Sequence, residues 1–162
     1  MKAVHKNTSF FDSLKHALCG IITPLRTEVN LRIHAAIATL ICVFAYFYGI
    51  SRMEWGMLFL AIAFVIIAEL VNTAVENAVD TATSGYAVTA KRAKDAAAGA
   101  VLAAAFFAVL VGVVLFGDLG KITYTLALIF TDAGRLVPCL ILGLLDVFFI
   151  IFGGVKKKDE EE

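Results

Sequence analysis

Ala96-Ala-Ala-Gly99-Ala-Val-Leu-Ala-Ala-Ala-Phe106-Phe107-Ala-Val-Leu-Val-Gly112-Val-Val-Leu-Phe116 carries no charged residue. At 1.5 Å per residue, a helix of that length spans roughly 30 Å, the thickness of a bilayer's hydrocarbon core. Its opening run of alanine and glycine would let neighbouring helices approach closely. Two other segments repeat the pattern. Ile33 to Ile50 has no Asp, Glu, Lys or Arg, lies between Arg32 and Arg52, and ends near Tyr46 and Tyr48. Trp55 to Ala68 is wholly apolar, and its helical pattern continues to Asp80 with carboxylates added. The expected fold class is therefore all-α integral membrane, with core spans over 31–50, 54–80 and 93–117.

Composition agrees. Of 162 residues, 60% are hydrophobic and 17% charged, and the mean hydropathy is +0.88. Soluble domains average about 45–50% apolar and 25% charged. A soluble enzyme and a disordered chain are excluded. With 14 basic and 14 acidic residues, no basic surplus exists to neutralise a nucleic-acid backbone. The three cysteines, Cys19, Cys42 and Cys139, form no CxxC and are odd in number. They read as apolar filler, neither a disulfide framework nor a zinc site.

A fourth apolar region, Ile122 to Phe152, is interrupted by Asp132, Arg135 and Asp146, and Pro138 would bend it. Two readings compete: one long kinked span, or two half-membrane segments in a re-entrant hairpin. The single span is preferred, because basic residues cluster before span one, between spans two and three, and in the tail at Lys156 to Lys158. Four spans put all three clusters on one side, with both termini cytoplasmic. The first 30 residues have no continuous apolar core of a signal peptide. Instead, Phe10, Phe11, Leu14, Leu18, Ile21, Ile22 and Leu25 recur at helical spacing. An amphipathic surface helix is expected over 8–26, opened by a capping box of Ser9 and Asp12. The alternative is a helix packed on other parts of the protein. The final Lys-Lys-Lys-Asp-Glu-Glu-Glu reads as a solvated tail.

The chemistry is concentrated in Glu69-Leu-Val-Asn72-Thr73-Ala74-Val-Glu76-Asn-Ala-Val-Asp80. At about 100° per residue, Glu69, Asn72, Glu76 and Asp80 share one arc of about 80°. Valines and leucines fill the rest of the helix. Acids cost about 2.5–3.5 kcal/mol each at mid-membrane, and aligned acids repel one another unless cations offset them. A divalent cation with oxygen ligands, or nearby basic groups, would do so. A solvated helix end with ordinary acids is the plainer reading. Glu28, just before span one, reaches the same membrane level, although helix starts favour acids anyway. Lys91-Arg92-Ala93-Lys94-Asp95 precedes span three, where bases and helix N-terminal amides suit phosphate. A positive-inside flank would look the same. Together these groups equip one bilayer face for phosphoryl transfer to an acceptor arriving in the membrane plane. There is no Walker A motif.

Glu69-x-x-Asn72-Thr73-Ala74-x-Glu76-x-x-x-Asp80, with Ala93-Lys94-Asp95 downstream and Glu28 and Arg32 upstream, resembles the small bacterial membrane lipid kinases, the prokaryotic diacylglycerol kinase and undecaprenol kinase family. The resemblance covers about Phe10 to Phe116. It implies ATP- and Mg²⁺-dependent phosphorylation of a membrane lipid alcohol by a homotrimer in the bacterial inner membrane, with sites shared between neighbours. It implies Glu69 as general base, Glu28 and Glu76 as ligands of the Mg²⁺ carried by ATP, and Asn72, Lys94 and Asp95 at the nucleotide, with Gly85, Tyr86 and His16 lining that site. The run Asn30-Leu-Arg32-Ile-His34 and the text after Lys94-Asp95 look more like the undecaprenol branch, so undecaprenol is preferred over diacylglycerol. The diacylglycerol branch carries an acid where this chain has His34, which reads as a structural histidine.

The chain departs from the family after Phe116. The expected division is a lipid kinase domain over 1–121, followed by an extra apolar segment and charged tail over 122–162. Asp132, Arg135 and Asp146 would pair among themselves or with a neighbouring subunit, or else mark a docking site. A different class, a small ion-coupled transporter, would instead place acids near mid-membrane beside broken helices.

Overall fold

The computed structural model describes residues 9–83, 85 and 87–154. It is all-α among those residues: α1 (Phe10–Thr27), α2 (Val29–Tyr48), α3 (Arg52–Ala82), α4 (Val88–Phe116), α5 (Leu119–Phe130) and α6 (Ala133–Phe152). Four helices, α2, α3, α4 and α6, are long and apolar enough to cross a membrane. This is a multi-pass membrane protein.

Local chemistry sets the helix ends. Ser9 and Asp12 form the expected capping box of α1, and Ser51 with Glu54 forms a second at α3. Gly49, the only residue with positive φ among those described, closes α2 at φ 70°, a left-handed turn that costs glycine little. The basic group Lys91, Arg92 and Lys94 lies within the first two turns of α4, so that helix starts earlier than its uncharged stretch suggested.

α3 and α4 form the central antiparallel hairpin. At one end Ala45, Leu58 and Leu115 bury together, ringed by Trp55, Ile62, Val111 and Phe116. Phe116 stacks edge-on against Phe44 and Tyr48 of α2. At the opposite end lie the start of α2, the last turns of α3 and the first turns of α4. α1 has no buried residue and packs chiefly along α2 and α3. The exposed residues Leu102, Phe106 and Val114 of α4 face outward, as a helix bathed in lipid or seated on other subunits would.

The fourth apolar region differs from the single kinked helix expected over 122–152. It breaks at Thr131–Asp132, and Pro138 sits inside α6. The break arises because the Asp132 side chain accepts from the Gly134 amide at 2.9 Å and starts a new helix. α6 alone, about 30 Å long, is the fourth span. α5 is too short to cross, and Lys121 near its start lies 4.1 Å from the Tyr48 ring centroid. Arg135 binds Asp132 at 3.3 Å and the Leu128 carbonyl at 3.2 Å, so these two charges pair locally, whereas Asp146 Oδ2 is buried without a partner among the described residues.

α6 runs back along α2 and ends at Arg32, only 4% exposed. The guanidinium donates to the carbonyls of Ile150 (3.2 Å), Arg26 (2.9 Å) and Leu25 (3.5 Å). One buried cation thus closes the C-terminal ends of both α1 and α6, where free carbonyls and the helix dipole favour positive charge. The start of α2 and the end of α6 therefore share one face of the bundle.

Candidate active site

α3 is unbroken for 31 residues, longer than a bilayer core requires. Glu69 stands roughly 26 Å along the axis from Arg52, near the far edge of a 30 Å core. Glu76 and Asp80 extend beyond it. The acids therefore cluster at one edge and not at mid-membrane, and no helix breaks beside them; this geometry disfavours the transporter class.

Glu69 is 3% exposed. Its carboxylate meets His34 of α2, with Nε2 to Oε1 at 3.1 Å. One turn on, the Thr73 hydroxyl donates to the Glu69 carbonyl at 3.0 Å. Glu28 sits at the corner between α1 and α2 and accepts from the Thr27 hydroxyl at 3.0 Å. Glu28 and Glu76 both lie near enough for their charges to repel that of Glu69. Asn72 donates from Nδ2 to Glu76 Oε1 at 3.0 Å, while its Oδ1 is buried without a partner. Lys94 of α4 binds Asp80 of α3 at 2.5 Å, tying the open end of the hairpin together. Asp95 is exposed beside it, as is Gly85 in the connecting loop. His16 is exposed on α1, and no contact links it to these groups among the described residues. Tyr86 lies outside the described residues.

The expected set thus divides. Glu28, Glu69, Asn72 and Glu76 form one group, and Lys94 joins it through Asp80 at the next turns of α3. Among the described residues no three His, Cys, Asp or Glu side chains are close-set enough to enclose a metal ion by themselves. The donors present still fit Mg²⁺, which keeps few protein ligands and takes the rest from water and phosphate. Two carboxylates and the unpartnered Asn72 Oδ1 are hard oxygen donors of that kind.

His34 is the residue whose place the sequence reading missed. It is half-exposed and lines an apolar groove of about 960 Å³ between α2 and the α3–α4 hairpin. Its signal in the sequence was weak: a lone histidine two residues after Arg32 at the start of an apolar span, which by itself reads as structural.

The family model described as prokaryotic diacylglycerol kinase matches residues 15–116. The chain is 40% identical over 114 residues to the undecaprenol kinase of Bacillus subtilis (strain 168), covering 69% of this chain and 93% of that one. It is 40% identical over 101 residues to a diacylglycerol kinase of Synechocystis sp. (strain ATCC 27184 / PCC 6803 / Kazusa), covering 62% of this chain and 58% of that one. No solved structure matches the chain at a significant level.

Proposed function

The chain belongs to the prokaryotic diacylglycerol kinase family, and on that premise we propose that it transfers the γ-phosphoryl group of ATP to undecaprenol, giving undecaprenyl phosphate. Lipid kinase activity follows from membership. The choice of undecaprenol is supported by the relative of that name, nearly all of whose length aligns. The observation that carries the mechanism is the depth and burial of Glu69: a carboxylate on the acid stripe, at the edge of the hydrocarbon core, where a lipid hydroxyl lies.

Glu69 supplies the basic carboxylate of the step, in which the hydroxyl loses its proton, its oxygen attacks the γ-phosphorus and ADP departs. A base held in place for such a transfer contributes about 10²–10⁴-fold in rate. Glu28, Glu76 and Asn72 Oδ1 would hold Mg²⁺, which offsets charge on the phosphates when bound. Lys94 and Asp95 bind the nucleotide, with Gly85, Tyr86 and His16 around it. Lys94 then exchanges Asp80 for phosphate oxygens, both being anionic acceptors within its reach. We further propose a homotrimer in the bacterial inner membrane, with the site at the cytoplasmic face, where Arg26, Lys91, Arg92 and Lys94 gather. Residues 1–121 form the kinase domain.

The test is transfer of labelled phosphate from ATP in mixed micelles, with undecaprenol and diacylglycerol supplied separately and together. Labelling of undecaprenol in preference is the expected result. Preference for diacylglycerol overturns the substrate assignment, and labelling of neither overturns the function.

A further inference from the structure

Glu69 is the base in the reading above, yet only 5% of its side chain is exposed. Glu69 is not among the residues that line the groove. His34 is one of them. Its side chain is 24% exposed and 3.1 Å from Glu69 Oε1 through Nε2. It is also the one polar side chain among the residues lining the groove, where Ile37, Val65, Ala105 and Val109 are its apolar company. The ring's Nδ1 makes no hydrogen bond among the described residues. When Nε2–H donates to a carboxylate, the neutral imidazole has Nδ1 as its acceptor. A carboxylate behind an imidazole orients the ring and stabilises its protonated form.

We propose that His34 and Glu69 act as a dyad, in which His34 Nδ1 receives the proton of the lipid hydroxyl and Glu69 holds the ring. The proposal rests on the lipid kinase reading and refines its base. In the step, the O–H bond of the lipid alcohol breaks and its proton goes to Nδ1. The alcohol oxygen forms a bond to the γ-phosphorus, and the bond from that phosphorus to the bridging oxygen of ADP breaks. The imidazolium then lies against the Glu69 carboxylate until water takes the proton.

The charges around the dyad suit this. Glu69 faces it from α3, and the fields of Glu28 and Glu76 reach the same carboxylate. Arg32, one turn back on α2, is turned toward the carbonyls of Leu25, Arg26 and Ile150. The part of α4 lining the groove carries no charge. Bulk water enters such an apolar groove poorly, so an acceptor built into its wall replaces it.

Two variants of the full chain test the dyad. His34→Ala removes the ring, and His34→Gln keeps a donor for Glu69 but no proton acceptor of comparable basicity. Both are expected to lower kcat for the lipid alcohol by about 100-fold or more, with the KM for ATP within about twofold of the parent. Imidazole added to His34→Ala is expected to restore turnover, more strongly as more basic ring-substituted imidazoles are used. Parental kcat in His34→Gln overturns the proposal, because the ring then serves only to prop Glu69. Loss in His34→Ala without imidazole rescue overturns it as well. If the parent protein itself phosphorylates no lipid alcohol, the kinase reading fails and the dyad with it; an active parent with active variants sinks the dyad alone.

Discussion

Glu69 and Arg32 are both buried and ionisable, and they are satisfied in different ways. Glu69 has a histidine and a threonine-braced backbone around it, while Arg32 has only carbonyls. Glu69→Gln keeps size and hydrogen-bonding capacity but removes the carboxylate. Turnover is expected to fall by about 10²–10⁴-fold, with the protein still assembled, as read by size-exclusion in detergent alongside the phosphate-transfer assay. Parental turnover in that variant removes Glu69 from the chemistry. Arg32→Met keeps the aliphatic volume and removes all three donors. It leaves carbonyls of two helix ends without partners, each costing about 1–3 kcal/mol when buried. A clear drop in thermal midpoint in detergent is expected, and an unchanged midpoint would mean that water takes over those carbonyls.

The elements explain why the site lies at one end. α3 is longer than the hydrocarbon core, so its last turns leave the core and carry Glu76 and Asp80 into the polar zone. α4 starts with basic residues that meet those turns. Metal dependence is the test at this scale: Glu28→Gln and Glu76→Gln are each expected to shift the Mg²⁺ activation curve to higher concentration. Identical curves would take both residues out of metal binding. The Lys94–Asp80 pair is half-exposed and contributes little to stability, about 0–1 kcal/mol. Asp80→Asn therefore tests its other role, with the KM for ATP expected to change more than the thermal midpoint.

For the whole molecule, the C-terminal extension is part of the bundle and not an appendage. α6 packs along α2, and its end is fastened at Arg32, beside the corner that holds Glu28. Topology follows from that fastening. A thiol introduced at Asp12 and one at Gly153 are expected to react with an impermeant reagent from one side of the membrane, and one at Asp118 from the other. Labelling of all three from one side would exclude the four-span arrangement. The outward apolar surface of α4 fits the proposed trimer, for which native mass spectrometry is expected to show three copies.

How much of this was legible in the chain depends on whether it is local. Span positions and the acid stripe of Glu69, Asn72, Glu76 and Asp80 follow from the sequence by itself. In a bilayer every backbone polar group must be paired within its own helix, so length and hydropathy specify the spans. Helical period places residues of one helix on a common face. The break at Asp132 was half legible, since Asp132 is a good N-cap, but Pro138 was the stronger signal for a bend. Tertiary structure alone decided which residues meet across helices: His34 with Glu69, Lys94 with Asp80, and Arg32 with the ends of α1 and α6. Those contacts depend on how each helix is rotated and crossed against its neighbours, and hydropathy carries no record of that rotation.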